Sequence, residues 1–335
     1  MYRLLSYYGY LQIDNPDEVR DQQRALGEEL ELKGRIYIAS EGINGTCAGT
    51  PEAVARYREL TLAMPGFENV DFKEEKVDRI PFAALRVRTR PYLVNLGEGN
   101  NVDPAEEGGK RLTPLEWKAF LESGKKFTLL DVRNDYEATI GHFEGAEIPP
   151  YEYFHQFPQW VEELELNEDE PVLMYCTGGI RCEKFSGLLT RRGYKEVYQL
   201  DGGLLRYAEE VGGDHYVGNV YVFDDRMSVD IGGAPTPARC HHCGVRTPRM
   251  INCANVDCHK LHVSCDDCVR TTRACCSSAC LGAPRVREFR DEHLTRPWRR
   301  LYTEATRPRA EASLQIAEAM KAAEEVQTAD EREEA

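Results

Sequence analysis

From Tyr2 to Val94 apolar residues come in short alternating runs, broken by stretches at helical spacing. "YRLLSYYGY" predicts an aromatic strand from Tyr2 to Tyr10. "DNPDEV" opens a helix with Asp14 or Asn15 as cap and Pro16 at the first helical position, ending near Gly34. "RIYIA" reads as a buried strand, "SEGINGT" as a glycine-containing turn, "CAG" as the return strand, and Thr50-Pro51 as the start of a second helix. "NVDFKEEKV" and "ALRVRTRPYLV" supply the last extended segments. The order β-α-β-β-α-β predicts a ferredoxin-like (acylphosphatase-like) sandwich with an antiparallel sheet over residues 1–95, with Cys47 as packing.

The stretch "LGEGNNVDPAEEGGKRLTP" is polar and glycine-rich, a linker over 96–112, and Thr113-Pro114 starts a new helix. "FTLLDVR", "PVLMYC" and "EVYQLDGG" are short, largely apolar strands of the kind buried in parallel sheets, the last followed by a helix from Gly203 to Glu210. Their alternation with helices predicts an open parallel α/β sheet over 113–213. Ligands of such sheets sit at the carboxyl ends of strands, where Asp131, Cys176 and Asp201 fall.

Around "MYCTGGIRCEKF" the apolar run Val172–Tyr175 leads into Cys176, then Gly178 and Gly179, then a helix carrying Phe185, Leu188 and Leu189 at helical spacing. Backbone N–H groups of a tight loop feeding a helix N-terminus favour an anion at their focus, so Cys176 is a candidate thiolate nucleophile. Thr177, Gly178, Gly179 and Ile180 form the loop, and Arg181 adds a positive charge. Four residues separate Cys176 from Arg181, one fewer than the five of a cysteine phosphatase cradle, and a smaller ring suits one transferable sulfur or another small adduct on the thiolate. Cys182, at the helix start, either resolves an oxidised Cys176 or packs against the sheet.

Composition narrows the setting. The hydrophobic fraction is 41%, no apolar run approaches the ~20 residues needed to span a bilayer, and "MYRLLSYYGYLQID" lacks the apolar core of a signal peptide. The expectation is a cytoplasmic protein without a membrane partner. The net charge of −15 argues against nucleic acid, yet it is uneven. Residues 311–335 form an acidic tail with eight acidic and two basic residues. Arginine concentrates in "ALRVRTRPYLV" and from Arg285 to Arg309, either to track phosphates or to pair with Glu288, Asp291 and Glu292.

Nine of the twelve cysteines lie between Cys240 and Cys280, in a Cys-rich module over 214–310. Without an export signal this points to metal rather than disulfides. Cys240-x2-Cys243 and Cys265-x2-Cys268 carry a zinc spacing, with Cys253-x4-Cys258 and Cys275-Cys276-x3-Cys280 beside them. In a cross-braced module Cys240, Cys243, Cys265 and Cys268 bind one ion, while Cys253, Cys258, Cys280 and either Cys275 or Cys276, here taken as Cys276, bind another. His241, His242, His259 and His262 are substitutes. Four thiolates leave no open position, so the zinc is structural. A redox thiol set or an iron–sulfur cluster are the other readings.

"LLDVRNDYEATIGHFEGA", "YCTGGIRCEKFSGLL" and "VYQLDGG" resemble, in order and spacing, three signature segments of the rhodanese domain. That resemblance implies a persulfide on Cys176, an anion-facing Arg181, and a loop-bracing role for Asp131 and Arg133. It puts His142 in a segment shaping the loop beneath the site. With "YYGY", "SEGINGT", "GNVYVFDDRMSV" and "CHHCG…MINCANVDCHKLHVSCDDC" added, nearly the full length resembles the TrhO family of rhodanese-type tRNA uridine hydroxylases. This implies oxygen-dependent formation of 5-hydroxyuridine at the wobble position, with molecular oxygen as co-substrate and the tRNA anticodon arm as partner. Glu41 and Asn44 of "SEGINGT" either reach toward the active cleft or face water. A persulfide-forming sulfurtransferase and a zinc-dependent RNA-binding adaptor with a non-catalytic rhodanese domain are the competing readings.

Overall fold

The computed structural model describes residues 1–294 apart from Glu98, Glu152 and Glu165. The expected acidic tail and the arginine-rich segment beyond Leu294 lie outside the described residues. The chain forms two compact units, Met1–Met250 with Val263–Cys265, and Ile251–His262 with the chain from Asp266.

The first unit begins with β1 (Tyr2–Tyr10), α1 (Pro16–Glu29), β2 (Lys33–Ala39), β3 (Gly42–Gly49), α2 (Pro51–Leu62), β4 (Asp71–Val77) and β5 (Leu85–Thr89). The sheet order is β4-β1-β3-β2-β5, antiparallel except for β5 beside β2. The caps are local: Asn15 and Thr50 accept the Glu18 and Ala53 amides, and a proline follows each. Two expectations are corrected. The first helix stops at Glu29, because Glu31 turns left-handed (φ 51°) and Gly34 already belongs to β2. "INGT" is not a turn but part of β3, paired with β1 and β2 along its length. Gly45 serves close approach there, since a Cβ would sit 2.4 Å from the Tyr7 ring. Alternation sends Leu5, Ile36, Ile38 and Ile43 to the helix-covered core. It puts Ser6, Tyr8, Arg35, Tyr37, Asn44 and Thr46 on the opposite face.

The second sheet follows α3 (Pro104–Glu107), within the stretch expected as linker, where β6 (Lys110–Leu112) also lies. Then come α4 (Pro114–Leu121), β7 (Thr128–Asp131), α5 (Asp135–Thr139), β8 (Gly141–Phe143), α6 (Phe157–Glu163), β9 (Val172–Tyr175), α7 (Ile180–Arg191), β10 (Val197–Leu200) and α8 (Gly203–Glu210). Strands β6-β10-β9-β7 are all parallel. Their two faces are covered by separate clusters, one around Phe157, Met174, Phe185 and Leu189, the other around Trp117, Leu173, Leu204 and Tyr207. Burial on both faces explains why these strands are uninterrupted apolar runs. β11 (Tyr216–Tyr221) then pairs with β8 and with β12 (Ser228–Asp230).

Strands β13 (Met250–Asn252) and β14 (Leu261–Val263) and helices α9 (Asp266–Thr271) and α10 (Ser278–Leu281) close the chain order. The second unit has its own small core of Ile251, Ala254, Val269 and Ala274 among buried cysteines.

Candidate active site

Cys176 stands immediately after β9 and is fully buried. The α8 amides of Leu204 and Leu205 donate to the carbonyls of Cys176 (3.0 Å) and Thr177 (3.1 Å). With its carbonyls held on that side, the loop turns an amide inward: Gly179 N–H donates to Cys176 Sγ at 3.1 Å. Gly179 is required here, with φ 104° and a would-be Cβ 2.8 Å from the Tyr8 hydroxyl. Burial opposes ionisation of Cys176. The Cys182 thiol, the Arg181 charge and the Cys182 and Arg181 amides overcome it, bringing the group down to about 5. Cys182, also buried, is pushed well above the usual thiol range by burial and by the neighbouring thiolate it hydrogen-bonds. Cys182 is thus the protonated partner of the pair.

Arg181 is clamped by a residue the sequence reading missed. Glu137, fully buried, takes both guanidinium nitrogens at 2.6 and 2.8 Å, and the Thr177 hydroxyl donates to it at 3.3 Å. The signal was the capping box Asn134-x-x-Glu137, in which Glu137 also accepts the Asn134 amide. Asp131, the last residue of β7, holds Arg133 in a fully buried pair at 2.6 Å and accepts the Tyr175 hydroxyl at 2.7 Å. Arg133 goes on to the Gly141 carbonyl (2.7 Å) and the Tyr216 hydroxyl (3.3 Å). This network ties β7, β8, β9 and β11 together beneath the loop. Asp201, after β10, is paired with Arg206. His142 has its Nδ1 3.1 Å from the Ala138 carbonyl and does not line the cleft. Cys47 is buried core, its thiol raised by that burial.

Within the first unit Cys176, Thr177, Gly178, Ile180 and Arg181 line a cleft of about 490 Å³, in the range of small-ligand pockets. Its opposite wall is the open face of the N-terminal sheet, with Ser6, Tyr8, Arg35, Tyr37, Asn44 and Thr46, and Phe154, His155, Phe223 and Arg226 complete it. The two walls are joined by hydrogen bonds from Tyr8 to Glu183 (2.9 Å) and from Tyr10 to the Ile180 carbonyl (3.1 Å). The two candidates in "SEGINGT" divide. Glu41 accepts from Lys184 at 2.5 Å and from the Leu93 amide at 2.7 Å, a joint between the domains, whereas Asn44 faces the cleft. Of the arginines in "ALRVRTRPYLV", Arg86 and Arg88 stand exposed on β5 in register with Arg35 and Tyr37, on the open face of the sheet, and Arg90 lies over the Tyr37 ring. The described arginines after Cys280 include two in ion pairs, Arg285 with Asp257 and Arg290 with Glu288.

All twelve cysteines are free of disulfides. In the first unit the sulfurs of Cys240, Cys243 and Cys265 lie within 4.8 Å of one another, Cys243 and Cys265 at 3.7 Å. Burial would raise Cys240, but the Cys265, Cys243 and His242 amides bring it down to about 5. Cys268 follows three residues after Cys265, in α9. In the second unit Cys253, Cys258, Cys276 and Cys280 group within 4.8 Å, with Cys258–Cys276 at 3.6 Å and Cys276–Cys280 at 3.7 Å. The Asn255 amide and the Ser277 hydroxyl bring Cys280 down to about 6. Zinc–thiolate bonds of ~2.3 Å in a tetrahedron set sulfurs ~3.8 Å apart, so these thiols are spaced to hold a metal ion. Cys275 is left out, packed in the core. No histidine among the described residues joins either set.

Residues 2–93 match the family described as UPF0176 acylphosphatase like domain, residues 113–210 the rhodanese-like domain, and residues 217–281 the rhodanase C-terminal family. Over 308 residues the chain is 41% identical to a tRNA uridine(34) hydroxylase of Chlamydia felis (strain Fe/C-56), covering 90% of this chain and 94% of that protein. Identity to the enzyme of the same name from Chlamydia abortus (strain DSM 27085 / S26/3) is 41% over 320 residues, 93% of this chain and 97% of that one. To that of Protochlamydia amoebophila (strain UWE25) it is 38% over 302 residues, 89% and 93%. The resemblance drawn from the signature segments therefore extends over almost the whole chain, and the protein belongs to the family of the tRNA uridine(34) hydroxylases.

Proposed function

We propose that this protein hydroxylates the wobble uridine of tRNA at C5, with Cys176 as its reactive thiolate or persulfide. The observation that carries the reading is a thiol brought down to about 5 and set in a cleft. The facing wall of that cleft combines tyrosines and arginine. Enzymes acting on a base take it out of the stack and hold it between aromatic and polar side chains, and single-stranded loops such as an anticodon present bases that way. In the balanced reaction C5–H becomes C5–OH, one atom of molecular oxygen enters the base, and the other leaves as water with two electrons and two protons from a reductant. The Arg181 charge and the amides of Gly179, Arg181 and Cys182 frame the anionic sulfur. Asp131 and Arg133 brace the loop, and Cys182 donates to the thiolate. The working division is an N-terminal domain over 1–95, a linker over 96–112, the rhodanese domain over 113–213, the Cys-rich module over 214–310 and the tail over 311–335, in a cytoplasmic enzyme. Among the described residues no helix is long and apolar enough to cross a membrane.

Two structural zinc ions complete the reading. Cys240, Cys243 and Cys265 would hold one, with Cys268 as fourth ligand by its spacing, and Cys253, Cys258, Cys276 and Cys280 the other. Zinc closed by four thiolates supplies folding free energy rather than a reactive position. The test is nucleoside mass spectrometry of tRNA from cells carrying the gene, lacking it, or carrying Cys176→Ala. Loss of 5-hydroxyuridine in both altered strains is expected. Unchanged 5-hydroxyuridine together with a persulfide on the purified protein would replace this reading by the sulfurtransferase one.

A further inference from the structure

The lysine and arginine side chains that line the cleft are already engaged. Arg181 is on Glu137, Lys73 on Asp71, Arg226 on Asp224 and Glu75, and Arg35 donates to the Phe223 carbonyl. Asn44 differs. It lines the cleft from the middle of β3, half-buried, and its carboxamide has no hydrogen-bond partner among the described residues. Register puts Tyr8 directly across from it on one side and Tyr37 on the other, each a strand spacing of ~4.8 Å away. Tyr8 is also the residue that closes on Gly179 of the cysteine loop. A carboxamide offers one acceptor and one donor side by side in a plane. Uracil offers the complement, N3–H beside a carbonyl. A half-buried amide between two aromatic rings, one strand from the loop of the reactive sulfur, is built to be satisfied by a planar ligand.

We propose that Asn44 is the base-reading residue, its carboxamide pairing with N3–H and a flanking carbonyl of the target uracil while Tyr8 and Tyr37 frame the ring. This rests on the wobble-uridine reading above. The test is a double-perturbation cycle on binding, using fluorescently labelled anticodon stem-loops that carry uridine or 3-methyluridine at the wobble position. With the wild type, methylation should weaken binding ~5- to 150-fold, the range of one bidentate base contact. Asn44→Ala should lose a similar factor on the uridine loop and nothing further on the methylated one. Asn44→Ser is the companion should Ala disturb the strand. Asn44→Asp should bind the uridine loop no better than Ala, because its carboxylate faces the flanking carbonyl. Additive losses, or no loss from either perturbation, would overturn the assignment. Hydroxylation of the same uridine loop by the wild type is measured in parallel. Its absence would fail the enzymatic reading, while the binding cycle still decides Asn44.

Discussion

Replacing Arg181 with Met keeps a long apolar stem near the loop and removes the charge. A free cysteine ionises near pH 8.5, whereas Cys176 is brought down to about 5, a gap in favour of the thiolate. Against the cost of burial that gap is maintained by the Cys182 thiol, the Arg181 charge and the loop amides. An opposite charge at close range is worth ~1–3 pH units, and the bidentate Glu137 cancels part of it. Arg181→Met should therefore move the ionisation up by ~1–2 pH units, leaving the amide and thiol contributions in place. The assay is the alkylation rate of Cys176 by iodoacetamide between about pH 4 and 9, with the modified residue identified by tandem mass spectrometry, since the thiolate is the attacking species. A wild-type inflection near 8.5, or an inflection unmoved in the variant, would refute the reasoning. The same asymmetry appears in stability with a definite sign. The folded thiol ionises below the unfolded one, so between about pH 5 and 8.5 the unfolded state binds more protons. The stability advantage of wild type over Cys176→Ser should grow with rising pH across that window, and be lost as pH falls through about 5.

Two further outcomes are expected. Asp131→Asn leaves the fully buried Arg133 without its counter-charge and should cost ~3–5 kcal/mol of stability, read as a fall in the denaturant midpoint; a change under ~1 kcal/mol would show that the pair does not brace the loop. Metal analysis of protein purified without chelator should give two zinc ions per chain, falling by one in Cys280→Ser, and strong chelation should unfold the module around Ile251 and Val269. Metal-free protein with an unchanged melting profile would remove the zinc assignment.

What the sequence determined by itself was chemistry carried within a few residues. Asn15-Pro16, Thr50-Pro51 and Thr113-Pro114 mark helix starts because a cap and its amide lie three residues apart. The spacing from Cys176 to Arg181 marks a tight loop running into a helix, and the paired cysteine spacings mark thiol groups able to hold a metal ion, since that geometry is local. Runs such as "PVLMY" show burial on both faces before any partner is known. Only the tertiary structure decided the rest. Whether "INGT" is turn or strand depended on β1 and β2 enclosing it. The partner of Arg181 stands forty-four positions away on α5. Asn44 stands on the first sheet and Cys176 just after a strand of the second, and they meet at one cleft because Tyr8, Tyr10 and Glu41 bind α7. Cys276 rather than Cys275 groups with Cys253, Cys258 and Cys280, because only the folded chain brings those four sulfurs within 4.8 Å of one another. Caps and spacings are short-range free energies that a stretch of chain carries alone. Partner choice is made when distant surfaces are desolvated together, and its energy exists only in the assembled fold.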